Sequence, residues 1–188
     1  NFTVAETRFY NTTRPCSEIG YMIGSVAEQM IHLLHTQNIK PNWNASFQYR
    51  LINSPGTFQN QNTNHSNYRF TSWYQSKNKR YQNFFVVVGN KLISGENGGI
   101  KENGNYLDSG AYADSRFNIP TKLGPLQQAS RNFFSTNIAT GTFNTNATYL
   151  MRQQYDLGQK DSIVVNDTTV IPLFYPRVRF EHTISYNT

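Results

Sequence analysis

The sequence predicts a mainly β protein, an antiparallel β-sandwich with one N-terminal amphipathic helix. Three observations predict this class: apolar and polar residues alternate over residues 178–186, an unbroken apolar run covers 84–88, and apolar residues between 19 and 34 recur at a spacing of three and four. These are the patterns of a half-buried strand, a fully buried strand and an amphipathic helix, respectively. With no internal repeat or composition shift, the 188 residues fit a single domain, residues 1–188, strand-rich over 45–188.

The predicted helix covers residues 17–38. Ser17 is a suitable N-cap, Glu18 lies in the first turn, where a carboxylate interacts favourably with the helix dipole, and Pro41 follows the end. The apolar stripe consists of Ile19, Met22, Ile23, Val26, Met30, Leu33 and Leu34.

The first expected strand follows Pro41, where Phe47, Tyr49 and Leu51 fall on one face. Residues 68–74 alternate in the same way. The apolar run that ends at Val88 precedes Gly89-Asn90, a dipeptide typical of a two-residue hairpin turn. Because this run is apolar on both faces, we expect its strand in the middle of the sheet.

Two polar segments, residues 54–67 and 95–110, predict long exposed loops. Residues 125–135 predict a short helix, and the last third returns to strands, with a hairpin at Asn166-Asp167 before the regular strand over 178–186. A jelly roll is one form that such a sandwich takes. The alternative is an α+β fold in which a cystatin-like helix lies on a curved antiparallel sheet.

The composition favours a protein displayed at a surface or packed among copies of itself. Only 15% of residues are charged, whereas 23 are Asn and 18 are Thr, so uncharged polar groups cover much of the surface. The net charge of +6 reflects few acids rather than a long basic run. Cys16 stands alone and forms no intramolecular disulfide. We expect no transmembrane segment, since the longest apolar run is far shorter than the roughly 20 residues a spanning helix needs, and no signal peptide is visible.

No pattern in the sequence indicates an active site. Glu28, His32 and His35 would have metal-ligand spacing on a helix, but no second motif completes the ligand set. Asp108 and Asp114 stand among Gly, Ser and Tyr, where turn-forming Asp is the ordinary interpretation. The chain also lacks a nucleophile elbow and a phosphate-binding glycine loop. We therefore expect no enzyme, no metal and no other cofactor.

Exposed rings and cations are the candidate binding residues. The aromatic candidates, which would stack on a sugar or another ligand, are Trp43, Trp73 and Tyr74. The cationic candidates for contact with nucleic acid or another anion are Lys77, Lys79 and Arg80. A solvated hairpin turn with cross-strand aromatic pairs is the ordinary alternative for both groups.

The leading hypothesis is a structural assembly protein, a viral capsid or spike subunit that associates with copies of itself or with other coat or surface subunits. One alternative is an adhesin domain that binds a glycan or a cell-surface receptor. Another is a subunit of a bacterial secretion or surface apparatus. The expected location is a virion or a cell-surface assembly.

Overall fold

Nearly all of the regular structure is strand. The computed structural model describes residues 1–25, 27–102, 105–106, 108–112, 116–124, 138–166 and 169–188. The seven strands are β1 (Cys16–Ile23), β2 (Gln29–Lys40), β3 (Trp43–Ser54), β4 (Thr63–Gln75), β5 (Tyr81–Gly95), β6 (Gly141–Asn166) and β7 (Thr169–Asn187). Two single 3₁₀ turns, Gly110–Tyr112 and Arg116–Asn118, lie between β5 and β6. Within the described residues, no helix has the length and apolar character needed to cross a membrane.

The strands form one antiparallel sheet in the order β1-β2-β3-β4-β5-β6-β7, so each strand pairs with its neighbours in sequence. This confirms a mainly β, antiparallel protein. The sandwich and its jelly-roll form are not confirmed, because the described strands belong to a single sheet. Alternation in a sequence indicates that one face of a strand is apolar, but it does not indicate what covers that face.

The predicted helix over residues 17–38 is wrong, because this segment is the β1–β2 hairpin. Gly20 pairs with His32 and Ile19 with Leu33 across it. The segment carries apolar residues on both faces of its strands, and together they imitate helical spacing. Ile19, Ile23, Ile31 and Leu33 share one face, and Met22, Met30 and Leu34 share the other. The cystatin-like alternative needs the same helix and is also not confirmed.

Several boundaries differ from those expected. Gly89-Asn90 lies inside β5 rather than in the expected turn. The basic segment between Ser76 and Tyr81 does form a hairpin turn, as its ordinary interpretation predicted, and Lys79 there has a φ of 57°. The loop expected over 54–67 ends earlier, because β4 begins at Thr63. The regular strand expected over residues 178–186 lies within β7. β6 ends at Asn166 and β7 begins at Thr169, where the sequence predicts a hairpin. The short helix predicted over 125–135 lies outside the described residues.

The small hydrophobic core lies between the sheet and an N-terminal segment. Residues 2–12, which we call the strap, cross one face of β2 to β5. Phe2 packs there against Val86 and Val88, with Val4 and Leu150 at the edge of the cluster. Polar residues nevertheless dominate the interior: among the described residues five hydrophobic side chains are buried and fourteen polar or charged ones are. This is the reverse of the distribution in an ordinary water-soluble domain.

Candidate functional site

One face of the sheet, which we call the apolar face, is an exposed apolar surface. Register places Phe47 opposite Phe70, Phe70 opposite Val87 and Val87 opposite Tyr149, so these side chains form a row across four strands. Side chains of the two edge strands are highly exposed on this face, with Ile19 of β1 at 75% and Ile184 of β7 at 51% exposure. An apolar surface that continues across all seven strands is far larger than the scattered apolar residues of soluble monomers.

Two rows of aromatic residues border the middle of the apolar face. The first row is Trp43, Tyr74, Tyr81, Tyr155 and Phe180, and the second is Tyr49, Tyr68, Tyr149 and Tyr186. Ring centroids in the first row are 6.4 Å apart for Tyr74 and Tyr81. Six positions separate the two rows along β3, about 20 Å at about 3.3 Å per residue. On the apolar face between the rows, no described residue is Lys, Arg, Asp or Glu. We call this region the central band.

A glycine in β5 makes room for one ring of the second row. Gly89 pairs with Tyr68, and a Cβ atom at Gly89 would overlap the tyrosine ring. The ring therefore lies flat over the glycine, which is buried although it has no side chain. This cross-strand pairing explains why a glycine occurs in the middle of a strand, where it is otherwise unfavourable.

The opposite face, which we call the polar face, is lined by amides, hydroxyls and arginines. Asn67, Asn90 and Asn146 are paired in register across β4, β5 and β6. The Asn90 amide accepts a hydrogen bond from the Phe2 backbone N–H at 2.8 Å and donates one to the Phe2 carbonyl at 3.0 Å. Arg69 Nη1 donates to the Glu6 carbonyl at 3.0 Å. Side chains of the polar face thus bind the backbone of the strap.

Two arginines of the polar face, Arg50 on β3 and Arg69 on the neighbouring β4, lie against the Phe2 ring of the strap. The guanidinium carbons of Arg50 and Arg69 are 4.9 Å and 4.8 Å from the centroid of the Phe2 ring. Arg69 Nε also donates to Gln48 Oε1 at 2.8 Å. The Nε atom of Arg50 is buried and has no hydrogen-bond partner among the described atoms. The strap therefore covers cations that no carboxylate neutralises within ion-pair distance in the described chain.

β6 and β7 continue past the first aromatic row as a two-stranded extension. At its base, Arg179 Nε donates to Asp156 Oδ1 at 2.7 Å and Nη2 donates to Oδ2 at 3.0 Å. The pair lies beyond Tyr155, outside the central band, and joins β6 to β7 at the base of the extension.

A cavity of about 630 Å³, which we call the basic cavity, lies between the β4–β5 turn and this extension. Its lining includes all three cationic candidates, Lys77, Lys79 and Arg80. Lys160 also lines it, a residue that sequence reasoning missed because it lies 80 positions from Arg80. The Arg80 guanidinium carbon lies 4.4 Å from the centroid of the Phe174 ring. The cationic candidates are therefore brought together by the structure.

The aromatic candidates do not share one site. Trp43 and Tyr74 are register partners in the first aromatic row, and the Trp43 indole donates to Ser72 Oγ at 3.0 Å. Trp73 lies on the polar face, where its indole donates to the Tyr10 carbonyl of the strap. A single ring-stacking site made of all three residues is thus incompatible with strand alternation.

The remaining candidates do not converge either. His32 lies on the polar face and His35 on the apolar face, where its Nδ1 is 2.8 Å from Ser17 Oγ. The helical spacing that grouped them with Glu28 therefore does not apply. Asp108 lies in a turn, with its N–H donating to the Asn105 carbonyl, and Asp114 lies outside the described residues. The part of the chain that the structure describes contains no cluster of three or more His, Cys, Asp or Glu suited to a metal ion.

Comparison with known proteins identifies the family of the chain. No curated protein and no solved structure matched the chain. One family model matches residues 1–188, the whole chain, and its description reads "Putative porin". A sheet with a band of apolar side chains between aromatic rows on one face, and polar groups on the other, agrees with that description. The chain therefore belongs to this porin family.

Proposed function

We propose that the chain forms part of the wall of a water-filled pore in an outer membrane, through which small solutes pass by diffusion. The observation that carries the proposal is the inverted distribution of side chains, with apolar residues exposed on one face and polar residues buried on the other. Family membership supports the same function. It gives no support to the viral capsid, the virion or the adhesin hypothesis, whereas a location at the cell surface agrees with it.

The dimensions of the apolar face suit a bilayer. A membrane-spanning sheet carries an apolar band about 25 Å tall with aromatic rings at both interfaces. On β3 the apolar-face positions run from Trp43 to Leu51 and on β6 from Tyr149 to Leu157, nine residues each, which is close to the roughly 9–11 residues of a tilted membrane-spanning strand. Aromatic rings with a polar tip prefer the headgroup level, where the ring is apolar and the hydroxyl is wet. Lipid chains would cover the exposed apolar side chains that water would leave unfavourably solvated.

In a membrane, the edge strands β1 and β7 must pair with further strands. β1 and β7 each have one neighbour among the described strands, so each leaves a row of backbone N–H and C=O groups unpaired on its outer side. An unpaired backbone group in lipid costs several kcal/mol. The proposal therefore requires further antiparallel strands at both edges, and association between copies of the chain is one source of such strands.

Reconstitution of the full-length protein in lipid tests the proposal. After refolding into phospholipid vesicles, the protein should float with the vesicles in a density gradient and should give stepwise conductance in a planar bilayer in KCl. Heat-denatured protein added at the same concentration is the control. Protein that stays in the aqueous fractions, or that floats with vesicles without producing any conductance, would contradict the proposal.

A further inference from the structure

We propose that the basic cavity captures small organic anions, molecules that join a carboxylate or phosphate to an apolar group, at one mouth of the pore. This inference rests on the proposed function. The cavity is lined by Lys77, Asn78, Lys79, Arg80, Lys160, Pro172, Leu173, Phe174 and Pro176.

The position of the cavity relates it to the solute path. Arg80 stands two residues before Gln82, which pairs with Gln154 on the polar face. The Asp156 backbone N–H donates to the Arg80 carbonyl at 2.8 Å, so the turn is joined to the base of the extension. Because Gln82 and Asp156 both lie on the polar face and Arg80 lies next to both of them, the cavity lies where the polar face ends. A solute bound there is at the border between bulk water and the pore-lining surface.

The charge of the cavity selects anions. Four of its lining residues are cationic and none is acidic. No described carboxylate lies within ion-pair distance of their side-chain nitrogens. The ion pairs of the described chain involve other residues, namely Lys122–Glu102, Arg152–Glu181 and Arg179–Asp156. Four close cations repel one another, and an anion placed among them relieves that repulsion while gaining charge-assisted hydrogen bonds.

The remaining wall selects an anion with an apolar part. Pro172, Leu173, Phe174 and Pro176 form this wall. Phe174 also stacks on Arg80, so that the guanidinium plane is held while its edge stays available for a planar carboxylate or a phosphate. The volume of about 630 Å³ is within the range of small-molecule sites.

A nucleic-acid strand fits the same cations less well. Sequence-tolerant binding of single strands needs several rings on which successive bases stack along a groove. In this structure the neighbouring rings Trp73 and Tyr74 lie on opposite faces of the sheet. The cavity wall offers one aromatic ring, Phe174. Local geometry therefore favours a small anion.

Blocking of single pores tests the inference. Phenyl phosphate, inorganic phosphate and benzyl alcohol are added to full-length protein in a planar bilayer, and the concentration that halves the current is measured. We expect phenyl phosphate to block at a lower concentration than inorganic phosphate, and benzyl alcohol not to block. Replacing Lys77, Lys79, Arg80 and Lys160 together by Gln should raise the blocking concentration of phenyl phosphate about tenfold or more. Phe174→Ala should reduce the preference for phenyl phosphate over inorganic phosphate.

Lys91→Gln is the matched control, because Lys91 is an exposed cation of β5 located beyond the second aromatic row, away from the cavity. It should leave blocking unchanged, and stepwise conductance without added anion, whatever its size, shows that each variant is folded and inserted. A wild-type pore that conducts but is blocked equally by phenyl phosphate and inorganic phosphate, or equally before and after the fourfold substitution, overturns the inference and leaves the pore function intact. Tighter blocking by a short oligonucleotide than by phenyl phosphate also overturns it. A wild-type protein without conductance overturns the pore function itself.

Discussion

Arginine substitutions at Ile184 and Ser185 test which face of the sheet contacts lipid and which contacts water. Ile184 lies on the apolar face of β7 between the two aromatic rows, and its register partner is Met151. The adjacent residue, Ser185, points to the polar face and pairs with Leu150. Both side chains are exposed, so the two positions differ mainly in the medium that each one faces.

The expected cost depends strongly on that medium. An arginine on the lipid face of a membrane-spanning sheet costs about 2–4 kcal/mol near the bilayer midplane. Since each 1.4 kcal/mol is a factor of ten, Ile184→Arg should shift the folding equilibrium about 30- to 700-fold. In water the same change would cost at most about 1 kcal/mol, because Ile184 is 51% exposed and the arginine stem covers part of the same surface. Ser185→Arg should change stability by about 0.5 kcal/mol or less.

Urea unfolding in phospholipid vesicles, followed by tryptophan fluorescence, measures both variants against wild type. The central prediction is a difference of at least about 1.5 kcal/mol in the free energy of unfolding between Ile184→Arg and Ser185→Arg, which follows from the ranges above. Equal stabilities of the two variants in vesicles would refute the assignment of the apolar face to lipid. A larger loss for Ser185→Arg would refute the assignment of both faces.

Three further changes test individual contacts. Gly89→Ala should destabilise by about 1–3 kcal/mol in urea unfolding, because the new methyl group overlaps Tyr68, and adding Tyr68→Ala should recover part of the loss. Asp156→Asn should destabilise by about 1 kcal/mol in the same assay, because it removes the charge of a buried carboxylate that accepts two hydrogen bonds from Arg179. Asn90→Ala should speed hydrogen exchange in the strap, since it removes two hydrogen bonds to the strap backbone; unchanged exchange would show that these bonds do not hold the strap.

The strand content was predictable where each strand has one apolar and one polar side. Residues 178–186 and 47–51 show this alternation, and both segments are strands. β1 and β2 were not recognised, because apolar side chains on both faces created a helical spacing over residues 19–34. The turn predicted at Gly89-Asn90 was wrong as well. Gly89 makes room for the Tyr68 ring and Asn90 binds the backbone of the strap, so both residues lie within β5 for other reasons.

The candidate site was predictable in part. Lys77, Lys79 and Arg80 are close in sequence, and the structure keeps them together in one cavity. Lys160 comes from β6, far along the chain, and the pairing of β5 with β6 that brings it close to Arg80 cannot be read from a local pattern. The aromatic candidates could not be grouped from the sequence, for a different reason. Trp73 and Tyr74 are neighbours in sequence, and neighbours on a strand point to opposite faces.

The abundance of asparagine has a physical explanation in the polar face. A polar face that holds the backbone of the strap must present both donors and acceptors, and the amide group supplies both without a charge to neutralise. Asn90 illustrates this, because one side chain accepts from a backbone N–H, donates to the Phe2 carbonyl and donates to Asn146. A carboxylate at this position would only accept and an ammonium would only donate, so either would leave part of the strap backbone unpaired. Uncharged amides therefore suit the face that holds the strap, and they account for the Asn-rich composition. Alternation of apolar and polar residues does not distinguish this sheet from a soluble sandwich, because both arrangements share it.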